Sequence, residues 1–169
     1  MILVTPVTTI LTIGHSNHPI AAFIALLQAH GVELLADIRS QPASRFSPQF
    51  GRAALERSLA EAGIAYRWFG EGLGGRPRDP VLYRPDGHPD YARMAASPRF
   101  AAALDELLAA ASVARAAIMC AERDPQKCHR NQLVTPALLA RGVAVRHILS
   151  DGRLLPAEAA ATPVQPSLF

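Results

Sequence analysis

Five short apolar runs, each broken off by a polar cluster, constrain this chain more than any other feature. They are TTILTI (8–13), VELLADI (32–38), IAYRWF (64–69), RAAIMC (115–120) and VAVRHIL (143–149). Runs this short, rich in β-branched and aliphatic residues, read as strands buried on both faces. Helical periodicity fills the intervals. Ile20, Phe23, Ile24 and Leu27 repeat at helical spacing before Gly31, a residue that ends helices by adopting a left-handed conformation. Ser16 or Asn17 is expected to cap that helix, with Pro19 in its first turn. Further helices are expected from Ser47-Pro48 to Gly63, near 91–95, from Ser97-Pro98 to about Ala111, and from His129 to Gly142. Pro136 should kink the last one or tighten its start. Strands alternating with amphipathic helices predict an α/β fold: a three-layer sandwich around a mostly parallel sheet of about five strands, in a single domain over 1–152. A Pro- and Ala-rich tail is expected over 153–169.

A chain of 169 residues, half of them hydrophobic, is long enough to bury a core. No segment approaches the roughly 18 apolar residues of a membrane span. The start, MILVTPVTTI, has neither a basic n-region nor a cleavage site, so a cytoplasmic location is expected. Two cysteines argue for a reducing compartment and against a disulfide framework. Of 17 basic residues only Lys127 is a lysine. Guanidinium groups clamp phosphate oxygens in a bidentate way, although Arg-rich coding in a GC-rich genome gives the same excess.

In open α/β sheets the loops leaving the carboxyl ends of the strands gather on one edge, where ligands bind. The polar clusters GHSNH, DIRSQPASR, GEGLGGR and CAERDPQKCHR all follow strands, and so predict one site. In the last of them Cys128 is expected at a helix start beside His129 and Arg130, an environment that favours thiolate. Cys120 reads as a small buried hydrophobe. Seven residues separate the two cysteines, outside the zinc-knuckle range, and no redox C-x-x-C is present. A cysteine-phosphatase loop needs an arginine where Gln126 stands. A metal held by His15, Asp37, Glu122 and His129 is a minority reading, so no metal ligand is assigned and the cofactor is left unknown.

Arg39, Arg45, Arg76 and Arg130, with Ser16 and Ser44, are candidates for holding an anion. Glu122 and Asp37 are the acid–base candidates, with Cys128, His129 and His15 shaping the site or taking part directly. The alternative for the charged groups is structural: Asp37–Arg39 and Glu122–Arg130 ion pairs that lock loops, and a capping role for His15 and Ser16. GLGGR lacks the Lys-Ser/Thr of a phosphate loop and is a weak signal. Tyr66, Trp68, Phe69, Tyr83 and Tyr91 are the aromatics considered for base stacking.

These motifs resemble an uncharacterised bacterial family, number 488 among the domains of unknown function. The matching stretches are TIGHSN (12–17), DIRSQPASR (37–45), PQFGRAAL (48–55), LGGR (73–76), YARMAASPRF (91–100) and MCAERDPQKCHR (119–130), running in one order from about Ile10 to Leu149. The resemblance implies an α/β fold and a polar cleft, and it implies no reaction. Separately, the terminal QPSLF (165–169) resembles the peptide with which bacterial repair and replication proteins dock on the DNA sliding clamp. Gln165 would be the polar anchor and Leu168 and Phe169 the apolar pair. Pro166 departs from the leucine more usual there.

Together these features predict a nucleotide- or nucleic-acid-processing enzyme linked to DNA repair, a hydrolase of a phosphate or glycosidic bond. Two alternatives stand beside it: a non-catalytic DNA-associated adaptor recruited to the clamp, and a cysteine- or metal-centred protein.

Overall fold

A computed structural model describes residues 7–158. The elements follow in the order β1 (Thr9–Gly14), α1 (Ile20–Ala29), β2 (Leu34–Asp37), α2 (Arg52–Glu61), β3 (Ala65–Trp68), α3 (Gly70–Leu73), α4 (Tyr91–Ala95), α5 (Pro98–Ala111), β4 (Ala116–Cys120), α6 (Thr135–Ala140), β5 (Ala144–Ile148) and β6 (Leu154–Pro156). The sheet has six strands in the order β3-β2-β4-β1-β5-β6. The first five strands are parallel, and β6 pairs antiparallel to β5 at the edge. The α/β sandwich expected from the alternation is therefore present. The sixth strand is an addition, formed by residues that read from sequence as tail.

Side-chain alternation along the strands separates two cores. Ile10, Ala36, Ile118, Cys120 and Val145 face α5 and α6, meeting Phe100, Leu104, Leu107 and Leu138. Leu11, Ile13, Leu35, Met119 and Ile148 face α1 and α2, meeting Phe23, Leu27, Leu55 and Leu59. This is why the central runs are continuously apolar: β2 and β4 are buried at every position.

Two helix starts differ from expectation. Pro19 is the N-cap of α1, with no side-chain cap, and Ser16 adopts a left-handed φ of 46° instead of capping. Before α6 the chain forms a π-helical turn, Arg130–Val134. Pro136 has no amide to donate, and the wider turn ends with both the Thr135 amide and its hydroxyl on the Arg130 carbonyl, the hydroxyl at 2.6 Å. Pro136 then sits in the first turn of α6, where its missing donor costs nothing.

Candidate functional site

The carboxyl edge of the sheet opens into a cleft of about 760 Å³. Its wall comes from the segments after β1, β2, β3 and β4, so the four clusters do converge. His15, Arg39, Ser44, Arg76, Glu122, Cys128 and His129 line it. Ser16, Arg45 and Arg130 do not, and Asp37 lies buried behind the wall. Gln165, Leu168 and Phe169 lie outside the described residues.

Asp37 points from the end of β2 toward α2 and is fully buried. Its carboxylate accepts from Arg39 Nε at 2.9 Å and Arg39 Nη2 at 2.6 Å, and from the Tyr66 hydroxyl at 2.7 Å. Burial, and then the Asp37 charge, raise the Tyr66 hydroxyl above its ordinary range, so it stays a donor. The Asp37–Arg39 pair is thus the loop-locking ion pair, and it leaves Asp37 no free oxygen edge toward the cleft. Arg39 Nη1 also donates to His15 Nε2 at 3.3 Å, while His15 Nδ1–H donates to the Ser16 carbonyl at 2.8 Å. Burial lowers His15 to about 4, which fixes it as a neutral ring, stacked on Phe50.

Arg130 is fully buried on the opposite face. It forms no ion pair with Glu122. Nη1 donates to Thr12 Oγ1 at 2.7 Å, and Nη2 donates to the Glu122 and Arg123 carbonyls at 3.1 Å each. Thr12 in turn donates to His147 Nδ1 at 2.7 Å. Arg130 therefore holds the backbone of the loop after β4 from behind, and no ligand in the cleft reaches it. Gly14 is required here, because a Cβ at that position would run into the Glu122 carbonyl.

Cys128 opens the helical stretch as expected: its carbonyl accepts from the Asn131 and Gln132 amides at 3.0 Å each, and the helix runs from His129 through the π turn into α6. Its backbone is extended, after the 3-10 turn Pro125–Lys127 and before the π turn. That 3-10 turn doubles the chain back, so the cysteines, distant by sequence spacing, are joined in a disulfide, against the expectation of two unpaired thiols. This corrects the reading of Cys120 as an isolated core residue, although both are buried. Their Cα atoms lie 7.5 Å apart, wider than the usual span of a structural disulfide.

His129 Nε2 lies 3.1 Å from the Ile38 carbonyl. A carbonyl only accepts, so Nε2 carries the proton and Nδ1 carries the lone pair. Nδ1 faces Cys128 Sγ at 3.9 Å. Burial is the main cause that lowers His129 to about 4. The glycine-rich segment packs against this ring: a Cβ on Gly75 would lie 2.7 Å from His129 Cγ. GLGGR therefore serves close packing.

Ser16 and Asn17 accept from Arg123 at 3.3 and 3.2 Å, outside the cleft. Sequence reasoning missed Arg78 and Lys127, which line the cleft beside Arg76. Among the described residues these three cations have no side-chain acid within ion-pair distance, whereas Arg99 faces Glu71 at 3.6 Å. Lys127 was detectable as the lone lysine within the CAERDPQKCHR cluster. Thr12 and His147 were also missed. Both interrupt apolar runs at positions facing α6, and a polar residue there needs a partner.

No group of three or more His, Cys, Asp or Glu side chains among the described residues is placed to hold a metal ion. The minority metal set is not assembled, since His15, Asp37 and His129 are each committed to protein partners.

The order of motifs around this cleft is matched by a family model over residues 19–135, described as domain of unknown function DUF488. The chain belongs to this family. As a DUF488 protein it carries both arms of the cleft, the segment after β2 and the Cys120–Arg130 segment, inside the matched region. Comparison with curated proteins and with solved structures finds no match. Among the described residues no helix is long and apolar enough to cross a membrane.

Proposed function

We propose that this DUF488 protein is an enzyme that hydrolyses a bond to phosphate in a nucleotide or nucleic acid, with Cys128 as nucleophile. The observation that carries this reading is the lone pair of His129 Nδ1 facing Cys128 Sγ at 3.9 Å on the floor of a cleft with three unpaired cations. Arg76, Arg78 and Lys127 hold the phosphate. The thiol proton passes to Nδ1, Sγ bonds to phosphorus, and the ester oxygen leaves with the proton that His129 carries. Water, activated by Glu122 on the cleft wall, then breaks the sulfur–phosphorus bond and restores the thiol. Burial keeps His129 neutral and ready to accept, and the negative charge of a bound phosphate raises its basicity during the reaction. Chemistry requires the Cys120–Cys128 pair in its reduced form. A link to DNA repair, through clamp docking by Gln165, Leu168 and Phe169, belongs to the same proposal and rests on the sequence alone.

The test is a panel of nucleotides and oligonucleotides incubated with reduced protein. Wild type should release phosphate or cleave a strand, and Cys128→Ala and His129→Gln should each lower the rate by about 100-fold or more at unchanged fold. Retained activity in Cys128→Ala would refute the nucleophile, and failure of every phosphate compound to bind would refute the whole reading.

A further inference from the structure

The loop between β2 and α2 supplies Ser44 to the cleft wall and then projects Phe46 into solvent, with its side chain 94% exposed. Water contact over a whole aromatic ring is unfavourable by the transfer cost of that ring, so a loop free to rearrange would cover it. This loop is not free to do so. The Ser47 amide donates to Ser44 Oγ at 2.9 Å, the Arg52 amide donates to the Pro42 carbonyl at 2.9 Å, and Ser47 and Phe50 are buried. These anchors hold both sides of Phe46 while leaving the ring outside. Val113 is nearly as exposed at 86%, but it precedes β4 at the amino edge, away from the cleft. Phe46 differs in position and in surroundings. It lies two residues from Ser44, within about 7 Å of chain. Its neighbour Arg45 is exposed, and like Arg76, Arg78 and Lys127 it has no acidic partner among the described residues.

An exposed ring beside unpaired cations is the arrangement that holds a single-stranded nucleic acid, whose phosphates follow the charge while an unstacked base lies on the aromatic face. We infer that this DUF488 protein takes a single strand as its ligand, with one base stacked on Phe46 and the adjoining backbone phosphate led past Arg45 into the cleft. A duplex has its bases already stacked and offers Phe46 no face. The inference rests on the reading of the cleft as a phosphate site and adds the class of ligand.

The experiment is fluorescence anisotropy of labelled oligo-dT and oligo-rU of about twelve nucleotides, a matched duplex, and a mononucleotide competitor, using the full chain. Wild type should bind the single strands more tightly than the duplex. Phe46→Ala should weaken single-strand binding by about tenfold, and Phe46→Leu nearly as much, because stacking needs the π face. Phe46→Trp should retain binding and show indole quenching on strand addition, after subtraction of the Trp68 signal seen in wild type. Arg45→Ala should reduce the salt dependence of binding. Comparison of dT with rU shows whether DNA or RNA is preferred. If Phe46→Ala binds strands like wild type while a mononucleotide still binds through Arg76 and Arg78, this inference falls and the phosphate cleft stands. If neither strand nor nucleotide binds, both fall. If wild type sediments as a dimer that Phe46→Ala dissociates, the ring serves a second copy and the inference is overturned.

Discussion

Asp37 and Arg130 bring opposite charges into the interior and are compensated differently. Asp37 has a guanidinium in two-point contact and a phenol. Arg130 has only dipoles, two carbonyls and a hydroxyl, and its buried Nε has no hydrogen-bond partner among the described residues. Burial lowers Arg130 to about 10, so it remains a cation at neutral pH. That charge contributes, after burial, to depressing His129. Cys128, two residues before Arg130, is bonded to Cys120, and that bond forms by oxidation of the reduced pair that the proposed chemistry needs. Peroxide takes two electrons from the pair, joining Sγ to Sγ and leaving two waters, and the joined pair has no nucleophile. Brief peroxide treatment of wild type should remove both alkylatable thiols, and a dithiol reductant should restore both. In Cys120→Ser the remaining Cys128 has no partner and should pass to higher oxides that the reductant does not reverse. Mass spectrometry distinguishes the two, and equal recovery in both proteins would show that Cys120 gives no protection.

At the level of elements, the strands and helices were legible because each hides a recurrent apolar face, and the same alternation divided the two cores. Less legible was what the loops do in space. Nothing local shows that the 3-10 turn after β4 returns Cys128 to Cys120, or that Asp37 and Tyr66 on adjacent strands share one hydrogen bond. These depend on strand order, with β4 inserted between β1 and β2. The glycine-rich segment was a weak signal for a related reason, since close approach to a neighbour and approach to a phosphate use the same residue. Its role is testable at Gly75. A Cβ there would lie 2.7 Å from His129 Cγ and 2.9 Å from its Cβ, closer than real side chains come, so the ring must shift. Gly75→Ala should therefore displace His129 from the Ile38 carbonyl while leaving the two apolar cores intact. Imidazole nitrogen shifts in the NMR spectrum should change for His129 and remain for His147, with circular dichroism unchanged. Unaltered His129 shifts would show that the loop yields instead.

Across the whole molecule, three neutral histidines tie the sheet's carboxyl edge together. His15 joins the segment after β1 to Arg39 after β2, His129 joins the segment after β4 to the Ile38 carbonyl, and His147 joins β5 to Thr12 on β1. Burial is the leading cause that lowers each of them from 6.5 to about 4. The unfolded chain accepts these protons near 6.5 and the folded chain only near 4, so between those values the unfolded state binds more protons. Stability is thus fully present above about pH 6.5 and falls as the pH is lowered toward 4. Each histidine contributes at most about 1.4 kcal/mol per pH unit in that window. The interval from pH 6.5 to 5 lies above the ordinary carboxylate range, so a decline there belongs to histidines. Urea midpoints measured at half-unit steps should fall steadily across the interval, and His147→Asn should reduce the slope by about one histidine's share. A midpoint that stays level from pH 7 to 5 would mean that these rings carry protons in the folded protein, and His129 would then lack the lone pair that the proposed chemistry requires.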